Sequence, residues 1–159
     1  MMKSIDRTRS GEALSLMVMD LFRVSSLLLI CGDRLVASLG LTSARWQVLG
    51  AIVAAERPQP VAWLARDLGG NRQNIQRIVN DLNKDGLVSF EANPHHRRAQ
   101  LVLLTAKGKQ AFEAAMQLQA PWINDLADGL SEREIEKSRR LLVSLRKKLE
   151  ASVLLQERG

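Results

Sequence analysis

Between Val61 and Asp85 two apolar-periodic segments are separated by nothing but Gly69-Gly70. Val61, Leu64, Ala65 and Leu68 recur at three- and four-residue spacings in the first, and Ile75, Ile78, Val79 and Leu82 do so in the second. Each is therefore a helix with one apolar stripe, the second running from about Asn71 to Asp85. A glycine turn this short folds the second helix back across the first, giving helix, tight turn, helix. At about 100° per residue, Gln73, Arg77, Asn80 and Lys84 fall opposite the apolar stripe, with Asn74 and Gln76 flanking and Arg72 in the first turn. Arg can bridge O6 and N7 of guanine, and Asn or Gln can bridge N6 and N7 of adenine, so this face carries the chemistry for reading a major groove. Lys84, further along, is placed for phosphate. A polar helix face is more often simply solvated. Its surroundings decide for recognition here.

Gly86 suits the end of that helix, and Leu87 to Glu91 is expected to pair with Gln100 to Leu104 across the turn-rich Asn93-Pro94-His95-His96. The loop carries Arg97 and Arg98, so the product is a basic hairpin. Between Arg57 and Lys109 there are nine Lys and Arg against four Asp and Glu, a net +5 of the chain's formal +6. Positive charge is concentrated where the motif is. One helix for the major groove and one basic ribbon for the adjacent backbone or minor groove make a winged helix-turn-helix reader.

On either side the pattern is helical. From about Ser10 to Leu39 there is no proline, and Leu14, Met17, Leu21, Val24 and Leu28 keep helical spacing. Gly40 offers a stop, and Thr42 caps a second helix through Trp46, Leu49 and Val53 that ends before Pro58 and Pro60. Those prolines read as a connection. Thr105 caps a helix carrying Phe112, Ala115 and Met116, in which Pro121 should force a kink or break near Ala120. Ser131 and Glu134 form a capping box for a last helix whose Ile135, Leu142, Leu145 and Leu149 make a heptad-like stripe. The fold class is mainly α with a short β-ribbon wing of two strands.

Several function classes lose ground. No Gly-rich phosphate loop is present, no Ser-His-Asp pattern can be placed, and both histidines, His95 and His96, share one hairpin, so an enzyme is not expected. Neither a cofactor nor a metal is implied, because adjacent histidines with only Glu91 nearby do not close a four-ligand site. Leu27 to Cys31 falls far short of the roughly 20 residues that span a bilayer, and it reads as a core helix segment with an inert, buried thiol at Cys31. With a single cysteine and no basic stretch leading into a long apolar core at the start, the expected location is the cytoplasm.

Three stretches resemble the multiple-antibiotic-resistance regulators, the MarR family, and the resemblance covers nearly the whole chain. They are Gly40-Leu41-Thr42 with Trp46-Gln47-Val48-Leu49; Val61-Ala62-Trp63-Leu64-Ala65 running into Arg72-Gln73 and Arg77; and Asn93-Pro94 through Arg97-Arg98-Ala99 to Leu104-Thr105 and Gly108. The resemblance implies a two-fold homodimer built by the terminal helices, with Gln73, Gln76 and Arg77 facing bases and Arg97 or Arg98 entering the minor groove of double-stranded DNA. It also implies repression relieved by a small aromatic ligand. The family wing usually reads Asp-Pro-x-Asp-Arg-Arg, whereas Asn93 and His96 stand at the two acidic positions here, so the carboxylate that would orient a wing arginine is missing.

On this reading residues 10–39 and 106–155 form a helical dimerisation lobe and residues 42–105 the winged reader, intertwined as one domain. Trp46, Trp63, Trp122 and Phe112 are mostly core. Trp46 and Trp122 are the better candidates for lining a ligand cavity, with Arg45 as a carboxylate partner. The alternative is a winged-helix module that binds DNA without sequence preference or mediates protein contacts, with no ligand sensing.

Overall fold

The computed structural model describes residues 6–156. Two compact units divide at Gln119 and Ala120.

In the first unit, α1 (Arg9–Val36) is capped by the Thr8 side chain, which accepts from the Gly11 N–H at 3.0 Å. It passes into a single 3-10 turn, Ala37–Leu39, closed by Gly40 at φ 67°. The helix therefore ends slightly earlier than its sequence pattern suggests. Thr42 then caps α2 (Ser43–Ala54) by accepting from the Arg45 N–H at 3.2 Å. Two residues, Gln59–Pro60, form β1, and Pro60 leads directly into α3 (Val61–Leu68), where its missing N–H costs nothing. Gly69 at φ 62° ends α3, and Asn71 starts α4 (Arg72–Lys84), its side chain accepting from the N–H groups of Gln73 and Asn74 at 2.9 and 3.2 Å. Asn71 is thus the cap rather than the first turn of this helix.

Strands β2 (Val88–Glu91) and β3 (Leu101–Leu104) form the hairpin, with Val88 opposite Leu104 and Phe90 opposite Val102. A third strand was not legible: β1 joins the far side of β3, pairing Gln59 with Val102 and Pro60 with Leu101. The hairpin base is therefore paired on both sides of β3. Thr105 follows the hairpin, accepting from the Gly108 N–H at 3.0 Å to cap α5 (Ala106–Ala127) and donating to the Gly86 carbonyl at 2.7 Å. The core is one cluster: Val48 and Leu49 of α2, Leu64 of α3, Ile78, Val79 and Leu82 of α4, and Val88 and Val102 of the sheet are all buried.

Three sequence expectations need correction. Pro121 lies inside a continuous α5 and does not break it. Of the expected kink or break it makes no break: it removes one N–H from the ladder, a loss that a long helix tolerates. Leu27 to Cys31 is not core within the chain: Leu27, Leu28, Leu29, Ile30 and Cys31 are all exposed. Trp63 is also exposed. With its turn, α1 carries an 18-residue stretch of mean hydropathy 1.9, long and apolar enough by length and composition to cross a membrane, and none of that stretch is buried. Asp20 and Arg23 of the same helix form an exposed pair at 3.3 Å.

The second unit holds the end of α5 and α6 (Glu132–Gln156). Its start is set by the Ser131 carbonyl, which accepts from the N–H groups of Glu134 and Ile135 at 3.0 Å each, rather than by the side-chain exchange of a capping box. Ile135, Leu141, Leu142, Leu149, Val153 and Leu154 leave an apolar stripe exposed along α6.

Candidate nucleic-acid interface

Burial of Ile75, Ile78, Val79 and Leu82 fixes which face of α4 looks outward. Arg72, Gln73, Asn74, Arg77, Asn80 and Lys84 are exposed on it and Gln76 is half-buried, as the periodicity requires. The outward side chains hold one another. Arg77 donates to the Asn74 side-chain oxygen at 3.0 Å and lies 3.8 Å from the Asp81 carboxylate, while Gln76 donates to the Asn80 side chain at 3.0 Å. Asn74 and Asp81 therefore steer Arg77, a role for Asp81 that counting polar positions did not suggest. These bonds are exposed and cheap to exchange, so the guanidinium and both amides can trade them for base edges.

Across from the start of α4 stands the hairpin tip. Asn93 accepts from the His95 N–H through its side chain at 3.0 Å, its carbonyl accepts from the His96 N–H at 3.2 Å, and the His96 carbonyl accepts from the Ala99 N–H at 3.0 Å. A neutral amide at 93 thus builds the turn that an aspartate would build, since either oxygen can accept that bond. Arg97 and Arg98 project from the tip, exposed.

An open groove of about 770 Å³ separates the hairpin from α4, with Arg57, Arg72 and Arg98 around it and no carboxylate among its lining residues. Trp63, 46% exposed, and Phe90 supply its apolar wall. The Arg57 guanidinium lies over the Trp63 ring, 5.9 Å from its centroid. Sequence reasoning placed Trp63 in the core because aromatic residues usually go there. The signal it lacked was the Arg57-Pro58-x-Pro60 run, which brings a cation over the first turn of α3. A concave surface with three guanidiniums and no acid fits a polyanionic strand.

The remaining candidates are not among the residues that line this groove. Arg45 of α2 donates to the Asp85 carboxylate and, at 3.1 Å, to the Gly40 carbonyl, so its guanidinium is already engaged within the protein. Trp46 is half-buried against the core of the first unit, and Trp122 is half-buried on α5 in the second. Among the described residues no three His, Cys, Asp or Glu side chains group to hold a metal ion.

Residues 39–99 match the family model described as MarR family. An uncharacterized protein of Mycobacterium tuberculosis, Rv2011c, is 34% identical over 140 residues, which span 86% of this chain and 96% of that protein. Among solved structures, the transcriptional regulator PA3341 superposes with a TM-score of 0.75 at 27% identity, covering 85% of this chain and 98% of that one. The M. tuberculosis transcriptional regulator MosR in complex with DNA does so with a TM-score of 0.72 at 25% identity, covering 84% and 96%. The helix order, the three-stranded sheet with its basic hairpin, and these matches together establish that the chain belongs to the MarR family of winged-helix transcription regulators.

Proposed function

We propose that the protein is a sequence-specific repressor that binds a palindromic operator in double-stranded DNA as a homodimer in the cytoplasm. The observation that carries this is the outward face of α4, where Arg77 is held between Asn74 and Asp81 beside a groove with three arginines and no acid. Gln73, Asn74, Gln76, Arg77 and Asn80 read base edges; Arg72 and Lys84 meet phosphate; Arg97 and Arg98 carry the wing into the adjacent minor groove. The solved MosR complex with DNA supports the general mode.

Residues 10–39 and 106–155 serve as the dimerisation lobe and 42–105 as the reader. The support is the exposed apolar surface of α1 and α6, larger than an isolated chain ordinarily leaves in water. Two-fold pairing sets two α4 helices about one turn of DNA apart, which selects an inverted repeat. A small aromatic ligand relieves repression by binding more tightly to dimers whose α4 spacing no longer fits. Trp46 and Trp122 are the aromatic candidates for such a ligand. Arg45 serves a ligand carboxylate only by giving up Asp85.

The test is selection of the full chain on a random-sequence duplex pool at near-physiological salt. Enrichment of a palindrome with half-sites about 10 base pairs apart is the expected outcome. Retention with no enriched sequence overturns the reading in favour of a module that binds DNA without sequence preference. Placing the enriched site at a promoter in a reporter then separates repression from activation.

A further inference from the structure

The first turn of α2 is tied on two sides. Ser43, 5% exposed, donates its N–H to the Asp33 carboxylate at 2.6 Å and its hydroxyl to the Leu29 carbonyl at 2.8 Å, both on α1. Two residues on, Arg45 reaches the other way to the Asp85 carboxylate, at the C-cap of α4. The Asp85 carbonyl in turn accepts from the Lys107 ammonium at 2.8 Å, at the start of α5. Two cations thus close on the end of the helix that carries the reading face, the end where a helix dipole favours positive charge.

As a stabilising contact the Arg45–Asp85 pair is poor. The Asp85 side chain is 54% exposed and screened, and the Arg45 Nε is buried without a protein partner. What the pair supplies is direction. The contacts of Ile75, Ile78, Val79 and Leu82 with the core are apolar; they fix which face of α4 turns inward, but being non-directional they define its tilt less sharply. A charge-assisted bond from a planar guanidinium that is also fixed by the Gly40 carbonyl sets an angle as well as a distance.

We infer that Arg45 is a positioning residue for DNA reading: by holding Asp85 it fixes the C-terminal end of α4 on α2, and so the angle at which Gln73, Arg77 and Asn80 meet base edges. This rests on the reading of α4 as the base-reading helix.

The experiment compares the full chain with Arg45→Met, Asp85→Asn, the double variant and the exchange Arg45→Asp with Asp85→Arg. Each is titrated against the duplex enriched by the parent chain and against a scrambled duplex of equal length at one salt concentration. Each single variant should lower the ratio of the two affinities about tenfold, the double should lose no more than either single, and the exchange should restore part of the ratio. The two single variants change net charge in opposite directions, so an effect of charge alone would raise affinity in one and lower it in the other.

Ratios that move oppositely, that stay at the parent value, or that fall additively in the double overturn the inference. Asp85→Asn alters a half-exposed side chain and carries the test by itself if Arg45→Met does not fold. A parent chain with no preferred duplex overturns both this inference and the reading beneath it; a preference that all variants share overturns only the positioning role.

Discussion

Gly108 on α5 lies directly beneath the Leu87 carbonyl, so close that a β-carbon at 108 would take the space of that oxygen and its carbon. The contact joins the start of α5 to the strand that follows α4, and the Thr105 hydroxyl bonds to both sides of it. Gly108→Ala therefore forces backbone to move. We expect a loss of about 1–3 kcal/mol of stability, read as a lower urea midpoint at fixed protein concentration with the slope unchanged. A midpoint equal to that of the parent would mean the two segments are not held together this way.

Gly32 and Ser43 make a second close approach, in which a β-carbon on Gly32 would run into the Ser43 hydroxyl. Gly32→Ala should cost about 1–3 kcal/mol in the parent chain. In a Ser43→Ala background, where only a methyl faces the new β-carbon at 3.5 Å, most of that cost should vanish. Thermal unfolding of the four proteins measures the coupling, and additive losses would refute it.

Two arginines should fail in different ways. Arg77→Ala removes the guanidinium proposed to read bases and should weaken the preferred duplex by about 1–3 kcal/mol while relaxing its base preference. Arg98→Ala removes a wing cation and should weaken all duplexes more evenly, lowering the salt slope by about one. Equal losses for Arg77→Ala on preferred and scrambled DNA would take it out of the base-reading role.

The exposed face of α1 should be a protein interface. Phe22, 67% exposed, and Leu27, 60% exposed, lie on a helix that leaves many large apolar side chains in water. Phe22→Glu with Leu27→Glu should raise the dimer dissociation constant by at least about tenfold in sedimentation experiments. Because half-site pairing needs two readers, affinity for an inverted repeat should drop with it, while a single half-site is bound as before. An unchanged association state would place the dimer contact elsewhere.

The outward face of α4 was legible because its cause is local. Ile75, Ile78, Val79 and Leu82 specify one side of a helix, and the residues between them have only the other side to occupy. Thr42, Gly69 and Thr105 were legible for the same reason: each acts within a few residues of its own position. What escaped depends on distant chain. Two residues with a proline carry no strand pattern, and only the arrival of β3 makes Gln59–Pro60 a strand. The partners of Arg45 are Gly40 and Asp85, forty residues away in the second case, so its free guanidinium in the sequence suggested a ligand. Cys31 looked buried because its neighbours are apolar, yet composition says that a surface needs cover and not that the same chain provides it.

Pro60 also decides what the sheet cannot do. It stands in the outermost strand, with Pro58 just before it, and a proline there offers no N–H to an incoming chain. The other rim, β2, carries the polar Ser89 and the acidic Glu91 within its four residues. Copies of the chain at high local concentration would otherwise bring bare strand rims within reach of each other, a route to fibrous aggregates. With one rim short of donors and the other polar, strand pairing between copies is disfavoured, and the proposed dimer is left to form through its helices.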